Sequence, residues 1–188
     1  MNFKHKTENC RPLPTLENNK CFGCSPLNPS GLQMKFFADE KSLFSEVAIP
    51  EHLCGWDRLV HGGVIATILD EIMSWSAITI LKRFILTKSM TIDFIKPIYV
   101  GHAVTVEGMV LERKSEREAS MAGFLYNAEG KLCARSKGTF ALFTPDAAIR
   151  MEIMSKDDVK EFECLFKFEF PAATRLSSTQ SSDRGELA

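Results

Sequence analysis

The chain has 188 residues, 45% of them hydrophobic and 25% charged, with a formal net charge of −1. That length suits one domain of roughly 100–150 residues plus extensions, and the composition supplies a sizeable core. Balanced charge, with no block of one sign, argues against nucleic acid or an anionic membrane surface as a partner.

Residues 1–30 hold four prolines among many polar residues and read as an arm and a Cys/Pro-rich loop. The opening MNFKHKTENCRP lacks the apolar segment of a secretory leader. From Gly31 the pattern changes: GLQMKFFA and SLFSEVAI alternate apolar and polar residues around Asp39-Glu40-Lys41, which predicts a hairpin. EHLCGWDRLVHGG reads as a loop punctuated by Gly55, Gly62 and Gly63. The run Val64–Leu81 has no Gly or Pro, and its only charged side chains are Asp70 and Glu71. It predicts a helix apolar almost all round, hence one covered by other structure. The run barely reaches membrane-spanning length, and each central acid would cost about 2.5–3.5 kcal/mol on an insertion scale. A helix buried in a core or an oligomer interface is therefore expected, not a membrane span.

Four strand-like segments follow: KSMTIDFIKPIYV, HAVTVEGMVLERK, EASMAGFLYNA and KLCARSKGTFALF, with turns at Pro97–Gly101 and Asn127–Gly130. Two strands, one long helix and then a meander predict an α+β fold, an antiparallel sheet packed on a single helix. Past Thr144, SKDDVKEF carries a capping-box pattern with Asp158 in the acid position, predicting a short helix. FECLFKFEF reads as a strand, and the polar RLSSTQSSDRGELA as disordered. The organisation expected is arm and loop over 1–30, the domain over 31–144, and an extension over 145–188.

Six cysteines are scattered irregularly and read as reduced thiols of a cytoplasmic protein. The one close pair is Cys21-Phe-Gly-Cys24. Zinc there would have to recruit Cys10, His5 or Cys54; the reading preferred is a packed loop, with no metal and no resident cofactor. His52 and His102 fall in loop-like contexts, and Met73 and Trp75 read as core or interface packing.

The chemistry concentrates at His61-Gly62-Gly63. Consecutive glycines at a helix start let a ligand approach the backbone closely, and first-turn N–H groups there suit a developing oxyanion or a phosphate. Two acids deeper in an apolar helix need a reason, because an unpartnered buried carboxylate costs several kcal/mol or takes up a proton.

GWDRLVHGGVIATILDE resembles the hotdog-fold thioesterase superfamily, in the branch that places HGG before an acid-bearing helix, similar to phenylacetic-acid-pathway and 4-hydroxybenzoyl-CoA thioesterases. CFGCSPLNPSGLQMKFF and TIDFIKP carry the same resemblance, which spans residues 20–144. It implies a sheet wrapped around a central helix, a homodimer or dimer of dimers, and metal-free hydrolysis of acyl-CoA, with CoA entering only as part of the substrate. It makes Asp70 the catalytic acid, the Gly62 N–H the oxyanion donor, and Thr87 a group that assists water. Where some members carry asparagine, this chain has Gly55, followed by Trp56 and Asp57. His61 would orient the loop or contact the thioester, with Gly63 beside it. Glu71 is the rival base, or else an interface carboxylate paired with a basic residue. Lys96, Arg135 and Lys137 are candidates to meet CoA phosphates, or else a solvated strand face. A non-catalytic acyl-CoA-binding protein and an acyl-thioester hydratase or dehydratase are the alternative readings on the same fold.

Overall fold

A computed structural model describes residues 10–171 of the chain. The apolar run folds as helix α1, Gly62–Leu81, and it starts two residues earlier than the pattern predicts. His61 makes the difference: its ring nitrogen Nδ1 accepts from the Gly63 N–H at 2.9 Å, capping the helix so that both glycines fall inside the first turn. At the other end, Lys82 adopts left-handed backbone with φ 54° and returns its N–H to the Ile78 carbonyl, stopping the helix. α1 is long and apolar enough to cross a membrane, but most of it is buried inside the fold.

One antiparallel sheet covers it. Its strands are β1 (Arg11–Pro12), β2 (Phe36–Ala38), β3 (Leu43–Ala48), β4 (Phe84–Phe94), β5 (Ala103–Ser115), β6 (Glu118–Tyr126) and β7 (Leu132–Phe143), in the spatial order β1-β2-β3-β5-β6-β7-β4. Ile68, Leu69, Ile72 and Met73 of α1 meet Val104 and Val106 of β5, Met121 and Leu125 of β6, and Ala134 and Phe140 of β7 in one core. Helix and sheet approach closely at Gly108, where an added Cβ would stand 2.6 Å from the Ile72 carbonyl oxygen. The sheet around one long helix, an α+β arrangement, is the fold the sequence predicts.

Two strand predictions need correction. In GLQMKFFA only Phe36–Ala38 joins the sheet. The Leu32 and Met34 N–H groups donate instead to the carbonyls of Phe22 and Gly23, at 3.0 Å each, and Gln33 between them has φ 49°. The segment is thus tied to the cysteine loop rather than to a neighbouring strand. FECLFKFEF is not a strand either. Its first half completes the capped helix α3 (Lys156–Phe166), which follows the short α2 (Pro145–Arg150). Phe162 and Phe166, one helical turn apart, pack their rings on Phe84 with centroids 5.5 and 5.1 Å away. The predicted capping box is present: Ser155 Oγ accepts from the Asp158 N–H while Asp158 Oδ2 accepts from the Ser155 N–H. Lys82 Nζ closes this end of the molecule by donating to the carbonyls of Leu165 and Phe168, both at 2.9 Å. The arm also contributes to the core, through Leu13 and Leu16. The segment expected to be disordered, from Arg175 on, lies outside the described residues.

Candidate active site

Helix α1 carries Gly62, Gly63, Asp70 and Glu71. At its start the Gly63 N–H is taken by His61 Nδ1, and the Val64 and Ile65 N–H groups by the His61 carbonyl at 2.9 and 3.3 Å. The Gly62 N–H has no acceptor among the described residues. Gly62 lines a cleft of about 300 Å3 together with Leu59, Ile65, Phe94, Lys96 and Pro97. The end of β4 and the following Lys96-Pro97 therefore stand beside the helix start. Gly55 packs closely against His61: an added Cβ would lie 3.2 Å from His61 Cα, a tight contact. Trp56, next in the loop, is 84% exposed.

Two turns further along, Asp70 Oδ1 accepts from Thr87 Oγ1 at 2.8 Å. The β4–β7 register slips between Thr87 and Ser89, and such an irregularity re-aims a strand side chain. Burial raises the Asp70 carboxyl above the ordinary aspartate range, opposed by the Thr87 hydrogen bond and assisted by the Cys21 charge. A half-buried carboxylate held by a single hydroxyl is a competent base.

Glu71 points elsewhere, as a neighbour turned by about 100° on a helix must. Its Oε1 lies in hydrogen-bond contact with Cys21 Sγ at 3.1 Å. Burial, then the Cys21 charge, pushes Glu71 up to about 8. Cys21 is held down at about 5 by its hydrogen bond with Cys24, with the Cys24 and Gly23 N–H groups and Glu71 assisting against burial. Cys24 is pushed up, first by its hydrogen bond with Cys21 and then by burial. Among the described residues Glu71 has no basic partner. The contact joins residues 50 positions apart, and no local signal in the sequence announces it.

Arg135 and Lys137 lie apart from these groups. In β7 they alternate with Ala134, Ser136 and Gly138, which are buried toward α1, so both project from the opposite face of the sheet. Arg135 Nε is ion-paired with Asp93 Oδ2 at 2.8 Å, and Lys137 lines a polar cleft with Ser89 and Thr91. The structure thus joins Asp70 with Thr87, and Gly62 with His61, Gly63 and Lys96, but not Arg135 or Lys137 with either group.

Residues 58–134, which include α1, Thr87 and Lys96, match the family model of the thioesterase superfamily. The sheet wrapped around α1 is the hotdog fold. Solved structures share the fold of the domain. AziG of S. sahachiroi is 21% identical, with TM-score 0.55 over 60% of this chain and 92% of its own. PaaI of E. coli, from the phenylacetic acid degradation operon, is 17% identical, with TM-score 0.54 over 60% and 81%. A hypothetical thioesterase from Streptococcus pneumoniae, solved with coenzyme A, is 17% identical, with TM-score 0.51 over 56% and 80%. No match was found among curated protein sequences. At these identities the likeness concerns the hotdog fold of the superfamily and not a shared substrate.

Proposed function

We propose that the protein hydrolyses acyl-CoA thioesters, with Asp70 as general base and the Gly62 N–H as oxyanion donor. The observation that carries this reading is a hydrogen-bonded, half-buried carboxylate on the same helix as an unoccupied N–H at its start. The match of residues 58–134 to the thioesterase superfamily model and a fold neighbour solved with coenzyme A support the substrate class. Asp70 takes a proton from water, and the resulting hydroxide attacks the thioester carbonyl. The Gly62 N–H and the positive end of α1 stabilise the oxyanion. Collapse of the intermediate expels CoA as a thiolate, a leaving group stable enough to need no strong acid. Thr87 holds the carboxylate in place, and Lys96 at the rim of the cleft meets the negatively charged CoA.

One chain does not complete this site. Gly62 and Asp70 are eight positions apart on α1, about 12 Å along its axis at 1.5 Å per residue. A base acting through water and a donor to the same carbonyl stand roughly 6–9 Å apart. The reading therefore pairs Asp70 of one copy with Gly62 of a second copy in a homodimer. Strand β4 supports it: this terminal strand is hydrogen-bonded only to β7 and exposes Leu86 and Phe94. An unpaired edge of 11 residues is one that proteins usually cover.

The test is thiol release from a panel of aromatic and aliphatic acyl-CoAs by the wild type and Asp70→Asn. Turnover that falls by about 10²-fold or more in the variant is the expected result. Binding of several acyl-CoAs without turnover would leave a binding protein and reject the hydrolase reading.

A further inference from the structure

The cysteine pair is the feature that the proposed hydrolysis leaves unused. Cys21, Cys24 and Glu71 bring two sulfurs and a carboxylate oxygen within 4.8 Å of one another, and no other such group of three occurs among the described residues. Two thiols and a carboxyl, partly buried and without a basic partner among the described residues, are a donor set suited to a cation.

The surroundings are those of thiolate ligands. Cys21 Sγ accepts from the Gly23 N–H at 3.2 Å. Cys24 Sγ accepts from Asn19 Nδ2 at 3.2 Å. N–H groups converging on sulfur orient a ligand and offset its charge. Asn19 is itself held, its Oδ1 accepting from the Cys21 N–H at 2.8 Å. Gly23, between the cysteines, lies hard against the third donor: an added Cβ would fall 2.2 Å from Glu71 Cγ. Loop and helix are built onto each other at this point.

We infer that Cys21, Cys24 and Glu71 bind one zinc ion, which fastens the cysteine loop to helix α1. Two sulfurs and one oxygen match the ligand preference of zinc, and Cys-X2-Cys is a spacing zinc sites use. Tetrahedral zinc with bonds of about 2.3 Å to sulfur and 2.0–2.2 Å to oxygen separates its ligands by roughly 3.6–3.8 Å. Cys21 Sγ and Glu71 Oε1 stand 3.1 Å apart, and all three donor atoms lie within 4.8 Å of one another, close to that spacing. Water takes the fourth position, and binding releases to solvent whatever protons the three donor groups hold. Glu71 supplies the third ligand that Cys10, His5 and Cys54 would otherwise have had to provide.

The inference does not rest on thioester hydrolysis, and its readouts involve no turnover. The full-length protein is purified with zinc present, dialysed, and analysed for metal; a second sample is loaded with cobalt. The expected results are one zinc per chain and a thiolate-to-cobalt charge-transfer band. Cys21→Ser and Cys24→Ser abolish the band. Asn19→Ala keeps it but weakens zinc binding by roughly 10–100-fold, the cost of an outer-shell partner. Should the cysteine variants fail to fold, X-ray absorption on the intact zinc protein decides. Two sulfurs at about 2.3 Å support the site, and a shell of oxygen and nitrogen only overturns it. A chain that retains no zinc, or both cysteines reacting as free thiols in excess zinc, overturns it as well.

Discussion

Replacing Gly62 by proline deletes one hydrogen-bond donor and little else. Gly62 is the first residue of α1, a position that tolerates proline because its N–H has no partner in the helix. His61 before it has φ −62° and ψ 136°, the extended conformation a residue before proline requires. An added Cβ would stand 3.6 Å from Phe94 Cζ, an ordinary contact. The fold should therefore persist, with thermal stability within about 1 kcal/mol of wild type. Loss of an oxyanion donor costs about 2.7–4 kcal/mol in the transition state, or roughly 10²–10³ in kcat. KM should change far less, since the donor matters most once negative charge has developed on the oxygen. Gly62→Ala, which keeps the N–H, should remain at least roughly tenfold more active than Gly62→Pro. Steady-state thiol release on one acyl-CoA, with a melting curve for each variant, measures all of this. A folded Gly62→Pro enzyme with wild-type kcat would refute the assignment of the donor.

Two further substitutions probe the helix from other sides. Thr87→Val removes the hydroxyl that donates to Asp70 at 2.8 Å and keeps the shape; a hydrogen bond to a charged group is worth about 1.5–3 kcal/mol, so kcat should fall roughly 10–100-fold with the fold intact. Gly108→Ala pushes a methyl to 2.6 Å from the Ile72 carbonyl oxygen and Ser76 Oγ. Overpacking of this kind costs about 1–3 kcal/mol, a loss of roughly 2–12 °C in Tm by calorimetry, and an unchanged Tm would mean that helix and sheet are less closely packed than described.

Much of the fold is legible in the sequence because hydrophobic pattern alone dictates it. Val64–Leu81 is too long and too apolar to be anything but a covered helix, and the four segments after it alternate as strands do. The pattern fails where a specific hydrogen bond overrides it. Leu32 and Met34 alternate like strand residues and are buried like them, yet their N–H groups go to the cysteine loop. Phe162 and Phe166 sit in an aromatic run that suits a strand, but the Ser155–Asp158 cap upstream commits them to α3. At the site, the helix-start chemistry follows from His61-Gly62-Gly63. The pairing of Asp70 with Thr87 enters the sequence reading only through family resemblance. The meeting of Glu71 with Cys21 across 50 positions is a product of tertiary packing, with no periodicity or spacing to reveal it.

The central claim is a site completed by two copies of the chain, and mixing two inactive variants tests it most directly. Asp70→Asn and Gly62→Pro subunits are coexpressed with different tags, and thiol release is measured on the mixture. In a two-fold dimer, random pairing makes half of the dimers mixed, each with one intact site, so turnover should recover to about a quarter of wild type. A mixture no more active than the two variants measured separately, with mixed dimers confirmed by their tags, would contradict the account.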